Sequence, residues 1–384
     1  MSRLERAVLV GLCRNRSGRA EVDEHLQELG LLAESAGAAV VGALVQERGP
    51  VHAGTLLRRG KVEELAGLVR ERRADLAVFD EDLSPAQIRN LERSVEAKIL
   101  DRSGLILDIF ARRARTREAR TQVELAQLRY LLPRLTRQWS HLSRQVGGIG
   151  QRGVGETQLE IDRRIIRKRI ARLASDLRDI EKERDERRKK RLTIPRVALI
   201  GYTNAGKSTI MNLLTGALAR VEDRLFVTLD PLVRRCERGG RPPFLVVDTV
   251  GFIRKLPHHL VASFRSTLEE AAGADLLVHV VDSSSDSLEE QMRSTRDTLD
   301  DLGHSDDPCL LVFNKVDRAP AGVLERLRTE YPEAVFLSAI DPVQAGHLEA
   351  RVRLGLRALH SAGLPATAAV SMRPVWALDS GGGS

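Results

Sequence analysis

The chain of 384 residues, 42% apolar and 30% charged, is long enough for two or three domains, each with a sizeable core. No apolar run reaches membrane-spanning length, the start Met1-Ser-Arg-Leu-Glu-Arg6 lacks the apolar stretch of a secretion signal, and Cys13, Cys236 and Cys309 are too scattered for a metal cluster or disulfide framework, so a cytoplasmic protein without a membrane span is expected. The net charge of +8 is uneven: residues 1–195 hold 40 Lys+Arg against 29 Asp+Glu, or +11, whereas residues 196–365 hold 20 against 23, or −3.

From residue 5 to about 112, short apolar runs at Ala7–Val10, Ala39–Leu44, Leu76–Phe79 and Lys98–Leu100 alternate with amphipathic stretches such as Val22–Ser35 and Pro85–Ser94. That βαβα rhythm predicts a small parallel sheet. Two long helical patterns follow, about Thr116–Leu132 and Glu156–Arg191. In the second, Ile166, Ile170, Leu173, Leu177 and Ile180 make one apolar stripe suited to pairing with another helix, which predicts an antiparallel helical hairpin. The connector, Arg134 to Gly155, combines arginines, glycines and Trp139. A flexible linker is one reading, but a short turn would suffice for that, and a guanidinium-rich loop can mould itself to RNA backbone. The basic balance of this half points to a polyanionic partner. With aromatics at 3% of the chain, recognition of phosphate and shape is favoured over stacking on single-stranded bases, a merely solvated charged surface being the alternative. Arg59-Gly60-Lys61 and the connector glycines lack the strand, Lys and Ser of a phosphate loop, so they support a second nucleotide site only weakly.

Five segments then occur in order. Val197–Ile200 reads as a buried strand, and the loop Gly201, Tyr202, Thr203, Asn204, Ala205, Gly206, Lys207, Ser208 runs from it into a helix beginning near Thr209. This is a P-loop: backbone N–H groups and a helix N-terminus converge on a triphosphate, Lys207 reaches the outer phosphates, and the Ser208 hydroxyl coordinates Mg²⁺. Thr228, within Phe226, Val227, Leu229 and Asp230, is placed to complete the Mg²⁺ shell and sense the γ-phosphate as a switch. Phe244–Val247 predicts a second buried strand ending in Asp248, which holds Mg²⁺ through water; Thr249 and Val250 lead to Gly251, whose N–H faces the γ-phosphate. Leu310–Phe313 precedes Asn314, Lys315, Val316 and Asp317. Asp317 accepts hydrogen bonds from the ring N–H and exocyclic amine of guanine, Asn314 braces the neighbouring loop, and the Lys315 stem lies along the base. Ala334–Leu337 predicts a strand before Ser338, Ala339 and Ile340, which offer backbone contacts to the base carbonyl. The expected ligand is GTP with Mg²⁺, and Lys207, Thr228 and Gly251 are expected to act on the transferring phosphate.

Phe252 occupies the position where Ras-like enzymes carry a water-orienting glutamine, so unassisted hydrolysis is expected to be slow. Arg254, Lys255, His258 and His259 read as surface or structural residues, since no spacing fixes them on the γ-phosphate.

The chain resembles HflX, a family of translation-associated GTPases. The likeness covers roughly residues 30–360 and rests on Gly60-Lys-Val-Glu-Glu-Leu65, Ser84-Pro-Ala-Gln87, Asp101–Phe110, Gln127–Leu135, Gly153–Glu160, Gly201–Thr209 and Asp248–Arg254. It implies an α/β protein: a small parallel-sheet domain over residues 1–112, a helical hairpin over 113–195, and a Ras-like P-loop GTPase domain with a doubly wound, mostly parallel sheet over 196–363. Residues 364–384 form a tail to which no role is assigned. The resemblance further implies a GTP hydrolase that binds the large ribosomal subunit and its ribosomal RNA and splits or rescues stalled ribosomes, often under heat stress; separately from the resemblance, a monomer is expected. It also implies ATP binding by the N-terminal half, which no motif here decides. Two departures stand out: Leu232 and Val233 replace the family's usual threonines after Asp230-Pro231, and Ser338-Ala-Ile-Asp-Pro342 lacks the usual glycines. Other classes considered are a nucleotide-dependent RNA remodeller, whose helicase-type motifs are not visible, and an anti-association factor for which nucleotide is only a structural ligand.

Overall fold

The computed structural model describes residues 4–13, 18–47, 49, 51–136, 158–189, 194–216, 225–226, 228–238, 240–255, 273–304 and 306–361. The chain divides into two compact units, with the change from one to the other near residue 181.

In the first unit, β1 (Glu5–Leu12), β2 (Ala38–Gln46), β3 (Leu76–Phe79) and β4 (Lys98–Asp101) form a parallel sheet in the order β2-β1-β3-β4. Helices α1 (Arg19–Ser35), α2 (Arg59–Arg72), α3 (Pro85–Val95) and α4 (Arg102–Arg113) alternate with the strands, as the apolar rhythm predicts. Val8, Val10, Ala77, Phe79 and Ile99 meet Leu65, Val69, Leu91 and Val95 of α2 and α3 in one core, while α1 packs with α4. Local chemistry fixes the helix starts. Ser84 and Gln87 close a capping box around Pro85, and Asp101 accepts from the Gly104 N–H at 2.8 Å. Arg59, Gly60 and Lys61 form the first turn of α2, where Lys61 pairs with Glu64 at 2.8 Å, so these residues make a helix turn and no phosphate-binding loop.

Helix α5 (Arg117–Leu131), capped by Thr116, packs on α4, and α6 runs Gln158–Lys189. The predicted stripe on α6 is its less exposed side, with Leu173 buried, and Arg169 grips Glu124 of α5 through bonds of 2.7 and 2.9 Å. Arg134 corrects the sequence reading. Rather than belonging to an RNA-moulding loop, it is anchored at home: its guanidinium bonds Asp101 at 2.8 Å, the Leu83 carbonyl at 3.1 Å and the Tyr130 carbonyl at 2.9 Å, and lies 3.4 Å over the Tyr130 ring. The remainder of the connector lies outside the described residues.

In the second unit, β5 (Arg196–Ile200), β6 (Leu232–Cys236), β7 (Phe244–Asp248), β8 (Leu276–Asp282), β9 (Cys309–Asn314) and β10 (Val335–Phe336) form a sheet in the order β10-β9-β8-β5-β7-β6. All neighbours are parallel except β6, antiparallel to β7. Helices α7 (Lys207–Thr215) and α10 (Gln344–Ser361) contribute to the core on one face, α8 (Leu288–Leu302) and α9 (Ala321–Glu330) to the core on the other. This is a doubly wound arrangement. Leu232 and Val233 thus begin an edge strand, with Leu232 opposite Asp248.

Candidate functional site

Four loops leave the carboxyl ends of β5, β7, β9 and β10, the edge at which open α/β sheets bind ligands. Gly201–Gly206 turns out of β5 and delivers Lys207 as the first residue of α7, so the unpaired first-turn N–H groups of that helix open onto the loop. Glycine is needed at 206 for two reasons. Its φ is +98°, and a Cβ there would lie 2.1 Å from Nδ2 of Asn314.

Lys207 is buried, and its Nζ donates to the carbonyls of Gly201 at 3.0 Å and Tyr202 at 2.8 Å. Burial pushes its pKa down to about 8, against the opposing pull of the Asp248 charge. Ser208 and Thr228 both converge on Asp248: Ser208 Oγ donates to Oδ2 at 2.6 Å, Thr228 Oγ1 donates to the same oxygen at 3.0 Å, and the two hydroxyls are 3.1 Å apart. Asp248 is fully buried. Its pKa is raised by burial and held back by Lys207, Ser208 and Thr228. Its second oxygen, Oδ1, is buried without a hydrogen-bond partner. Two hydroxyls around one buried carboxylate with an unused oxygen fit a small divalent cation of the Mg²⁺ type.

The segment after β7 folds back on the P-loop. The Phe252 N–H donates to the Gly201 carbonyl at 3.0 Å, the Thr203 N–H donates to the Phe252 carbonyl at 2.7 Å, and the Arg254 N–H donates to the Tyr202 hydroxyl at 2.7 Å. The Phe252 side chain is buried. Gly251 is pressed against the loop, where a Cβ would meet Cα of Thr203 at 2.7 Å and Nζ of Lys207 at 2.9 Å. Thr249 is buried and donates to the Leu199 carbonyl at 2.7 Å, and Val250 is buried beside it. Arg254 is nearly buried and reaches Glu290 at 3.9 Å, in keeping with a structural part. His258 and His259 lie outside the described residues, as does Val227. Phe226 and Leu229, flanking Thr228, are buried, and Asp230 is half-buried.

Asn314 joins two loops: its Nδ2 donates to the Ala205 carbonyl at 2.8 Å and its Oδ1 accepts from the Ala339 N–H at 2.9 Å. Asp317 accepts from Ser338 Oγ at 2.5 Å. A cleft of about 180 Å³ is walled by Asn204, Gly206 and Thr209, by Asn314, Lys315, Asp317 and Arg318, and by Ser338, Ala339 and Ile340. Val316 takes part through its backbone, donating to Leu337 O at 3.4 Å. The closing loop manages without glycines because Asp341 makes its own turn, accepting from the Val343 N–H at 3.0 Å. A larger cavity of about 240 Å³ between α8, α9 and the sheet has no P-loop residue in its wall and is a separate feature.

Three residues of this region escaped the sequence reading. Asp282, at the end of β8, bonds Lys315 Nζ at 2.7 Å, and Ser283 donates from Oγ to the Asn314 carbonyl at 2.6 Å; both hold Lys315 and Asn314 in place. Their signal was available, since Leu276–Val281 is an apolar run ending in an acid, as at Asp248. Arg318, next to Asp317, lines the cleft, and no spacing marks it.

Family models match the chain in three consecutive stretches: a GTP-binding GTPase N-terminal region at residues 23–111, a GTP-binding GTPase middle region at 113–191, and a 50S ribosome-binding GTPase at 196–315. The GTPase HflX of Caldanaerobacter subterraneus subsp. tengcongensis is 49% identical over 315 residues, covering 82% of this chain and 73% of its own. The GTPase HflX of Escherichia coli is 46% identical over 320 residues, 82% of this chain and 75% of its own. Among solved structures, a complex of SsGBP with GDP shares the fold with a TM-score of 0.52 and 26% identity, covering 92% of this chain and 99% of its own.

Proposed function

We propose, from the premise that the chain belongs to the HflX family of GTPases, that this GTP hydrolase binds the large ribosomal subunit and couples GTP binding and hydrolysis to splitting or rescue of stalled ribosomes under stress. The observation that carries the nucleotide half of this reading is the meeting, at one sheet edge, of Lys207 with the Ser208–Thr228–Asp248 oxygen cluster and of Asn314 with the Asp317–Ser338 pair. The basic balance of residues 1–195 and the match to a 50S ribosome-binding GTPase model support the ribosomal half.

The geometry supports the following roles. The Asn204–Ser208 backbone and the start of α7 cradle the phosphates, and Lys207 gives up its two carbonyl partners for the outer phosphate oxygens. Ser208, Thr228 and Asp248 would hold Mg²⁺, whose bound charge neutralises the β- and γ-oxygens. The Asp317 carboxylate, steadied by Ser338, takes the guanine N–H groups, while Lys315, steadied by Asp282, lies along the base and Ala339 and Ile340 close the cleft. For Gly251 to offer its N–H to a γ-phosphate, the backbone pairing of Phe252 with the P-loop has to loosen. Phe252, inside the protein, orients no water, so turnover is slow alone and the ribosome completes the site. The protein works as a cytoplasmic monomer, where ribosomes are.

The test is GTP turnover alone, with large subunits and with intact ribosomes, with subunit dissociation followed by light scattering in the same samples. We expect at least tenfold stimulation and a GTP-dependent fall in scattering. Neither stimulation nor binding would remove the ribosome from the account and leave the GTP site standing.

A further inference from the structure

The core on the α8–α9 face of the second sheet is left incomplete. Along the inward row of α8, Leu288, Met292, Thr295 and Leu299 follow one another at steps of four, three and four, so they share one side of the helix. Leu288, Thr295 and Leu299 are buried, yet Met292 is only half-buried. On the α9 wall Leu327 is buried, while Tyr331, one turn further on, is again half-buried. Both uncovered side chains border the cavity of about 240 Å³, whose floor is Cys309 and Leu311 of β9 with His279 of β8. That space equals the liquid volume of about eight waters, where packed interiors rarely leave room for one.

The floor is uncharged at neutral pH. Burial pushes the Cys309 thiol up to about 12, and burial first, then the Lys207 charge, lowers the His279 ring to about 4. The rim is charged, and its charges are not equivalent. Glu289 and Glu330 both turn to Arg326, at 3.2 and 3.9 Å, although Glu289 stands four residues before Arg293, the favoured spacing for a pair within one helix. Arg293 and Arg296, three residues apart on α8, line the cavity and form no ion pair among the described residues. With Arg326 counted, the rim holds three cations against two acids, and the two acids already share one cation. Guanidinium forks match carboxylates through parallel N–H bonds. A thioether and a phenol ring in the walls favour an aromatic body, through sulfur and ring-edge contacts. An apolar cavity of about 150 Å³ holds benzene, so there is room here for two fused rings. We infer that this cavity is a binding site for a small aromatic carboxylate, its ring between Met292 and Tyr331 and its carboxylate on Arg293 and Arg296. The site is separate from the nucleotide cleft and independent of the ribosomal reading.

The full-length protein, saturated with GDP, would be titrated by calorimetry with 2-naphthoate and separately with the uncharged 2-naphthamide. The acid should bind with a Kd of about 0.1 mM, and the amide about tenfold more weakly. In Arg293→Gln/Arg296→Gln the acid should lose about tenfold and the amide about twofold at most, so that the preference for the acid disappears. Met292→Trp, which fills the space, should abolish binding of both compounds. GDP affinity should be unchanged in each variant, which reports the fold; the two arginines, outside the core, decide the matter if Met292→Trp does not fold. Arg238→Gln/Arg241→Gln, with the same charge removed from exposed positions after the edge strand β6, should bind the acid like the wild type. No binding of either compound, equal binding of acid and amide, an unchanged acid affinity in the α8 double variant, an equal loss in the control, or displacement of GDP by naphthoate would overturn the inference.

Discussion

Both sheets of this protein carry acidic groups to the carboxyl edge of their strands, and the two edges treat them in opposite ways. In the first unit Asp101 is saturated, accepting from Leu83 N, Gly104 N, the Tyr130 hydroxyl and Arg134 at 2.7–3.2 Å. Its neighbour Arg102 is buried between Asp80 at 2.7 Å and Glu28 at 2.5 Å. In the second unit Asp248 is as deeply buried, yet one of its oxygens has no partner, and its companions are two small hydroxyls and a lysine resting on backbone carbonyls. The first edge is closed by its own ion pairs. The second keeps unused hydrogen-bonding capacity, and that capacity, rather than burial or charge, separates a site from a structural cluster.

The largest effect expected from breaking this contrast is at Asp101. Replacing it by alanine strands Arg134 and Tyr130 and uncaps α4, which should cost about 3–5 kcal/mol of stability in the first unit. Denaturant unfolding should show an early transition while GTP affinity holds. A loss of GTP affinity in step with that transition would mean that the two edges are energetically linked.

Lys207→Ala should do the reverse. It removes a buried cation whose pKa is already pushed down to about 8, so thermal stability should hold or rise, while GTP affinity should fall by about 3 kcal/mol, more than a hundredfold. Calorimetry of nucleotide binding beside a melting curve checks both halves, and a protein that unfolds with its affinity intact would overturn the assignment.

These two residues also mark how far the sequence could be read. Lys207, Asp248 and Asn314 are legible because each follows an apolar run at a fixed spacing, so strand, turn and function share one short stretch of chain. Asp101, Arg102 and Arg134 are not legible as a cluster, because their partners come from Glu28, Asp80, Leu83 and Tyr130, up to 74 residues away. The β8 strand was passed over for a different reason. A buried apolar run announces itself only when something recognisable follows, and Asp282 and Ser283 act through Lys315 and Asn314 rather than on nucleotide.

A smaller effect separates the P-loop from the sheet beneath it. His279 of β8 is buried, and burial first, then the Lys207 charge, lowers its pKa to about 4 from an ordinary 6.5. Glu289, Arg293, Arg296 and Glu330 line the cavity it borders. Between pH 6.5 and 4 the unfolded chain holds a proton on this ring that the folded chain does not, so stability falls as pH drops through that window. By pH 5 the loss should be about 2 kcal/mol. In His279→Leu, the difference in stability between pH 7 and pH 5 should shrink by that amount. An unaltered pH profile would place the acid sensitivity in another group; Asp248, whose pKa burial raises, acts with the opposite sign and stabilises the fold as pH drops.

The smallest effect is at the loop that closes the cleft, and it tests whether a site without glycines is built or merely tolerated. Asp341 accepts from the Val343 N–H at 3.0 Å and from the Gln344 side chain at 3.2 Å, while the Asp341 N–H donates to the Ser338 carbonyl at 3.0 Å. The side chain thus supplies the turn that glycine would otherwise permit, and it leaves Ala339 N free to bond Asn314. Asp341→Ala removes two exposed or half-buried hydrogen bonds, so the fold should weaken by about 1 kcal/mol or less. Any loosening of Ala339 reaches Asn314 and, through it, the Ala205 carbonyl of the P-loop. Guanine-nucleotide affinity should therefore fall about fivefold, and Asp341→Gly, which restores the turn by backbone freedom, should recover most of it. Equal losses in the alanine and glycine variants would show that the carboxylate acts by its charge and not by shaping the turn.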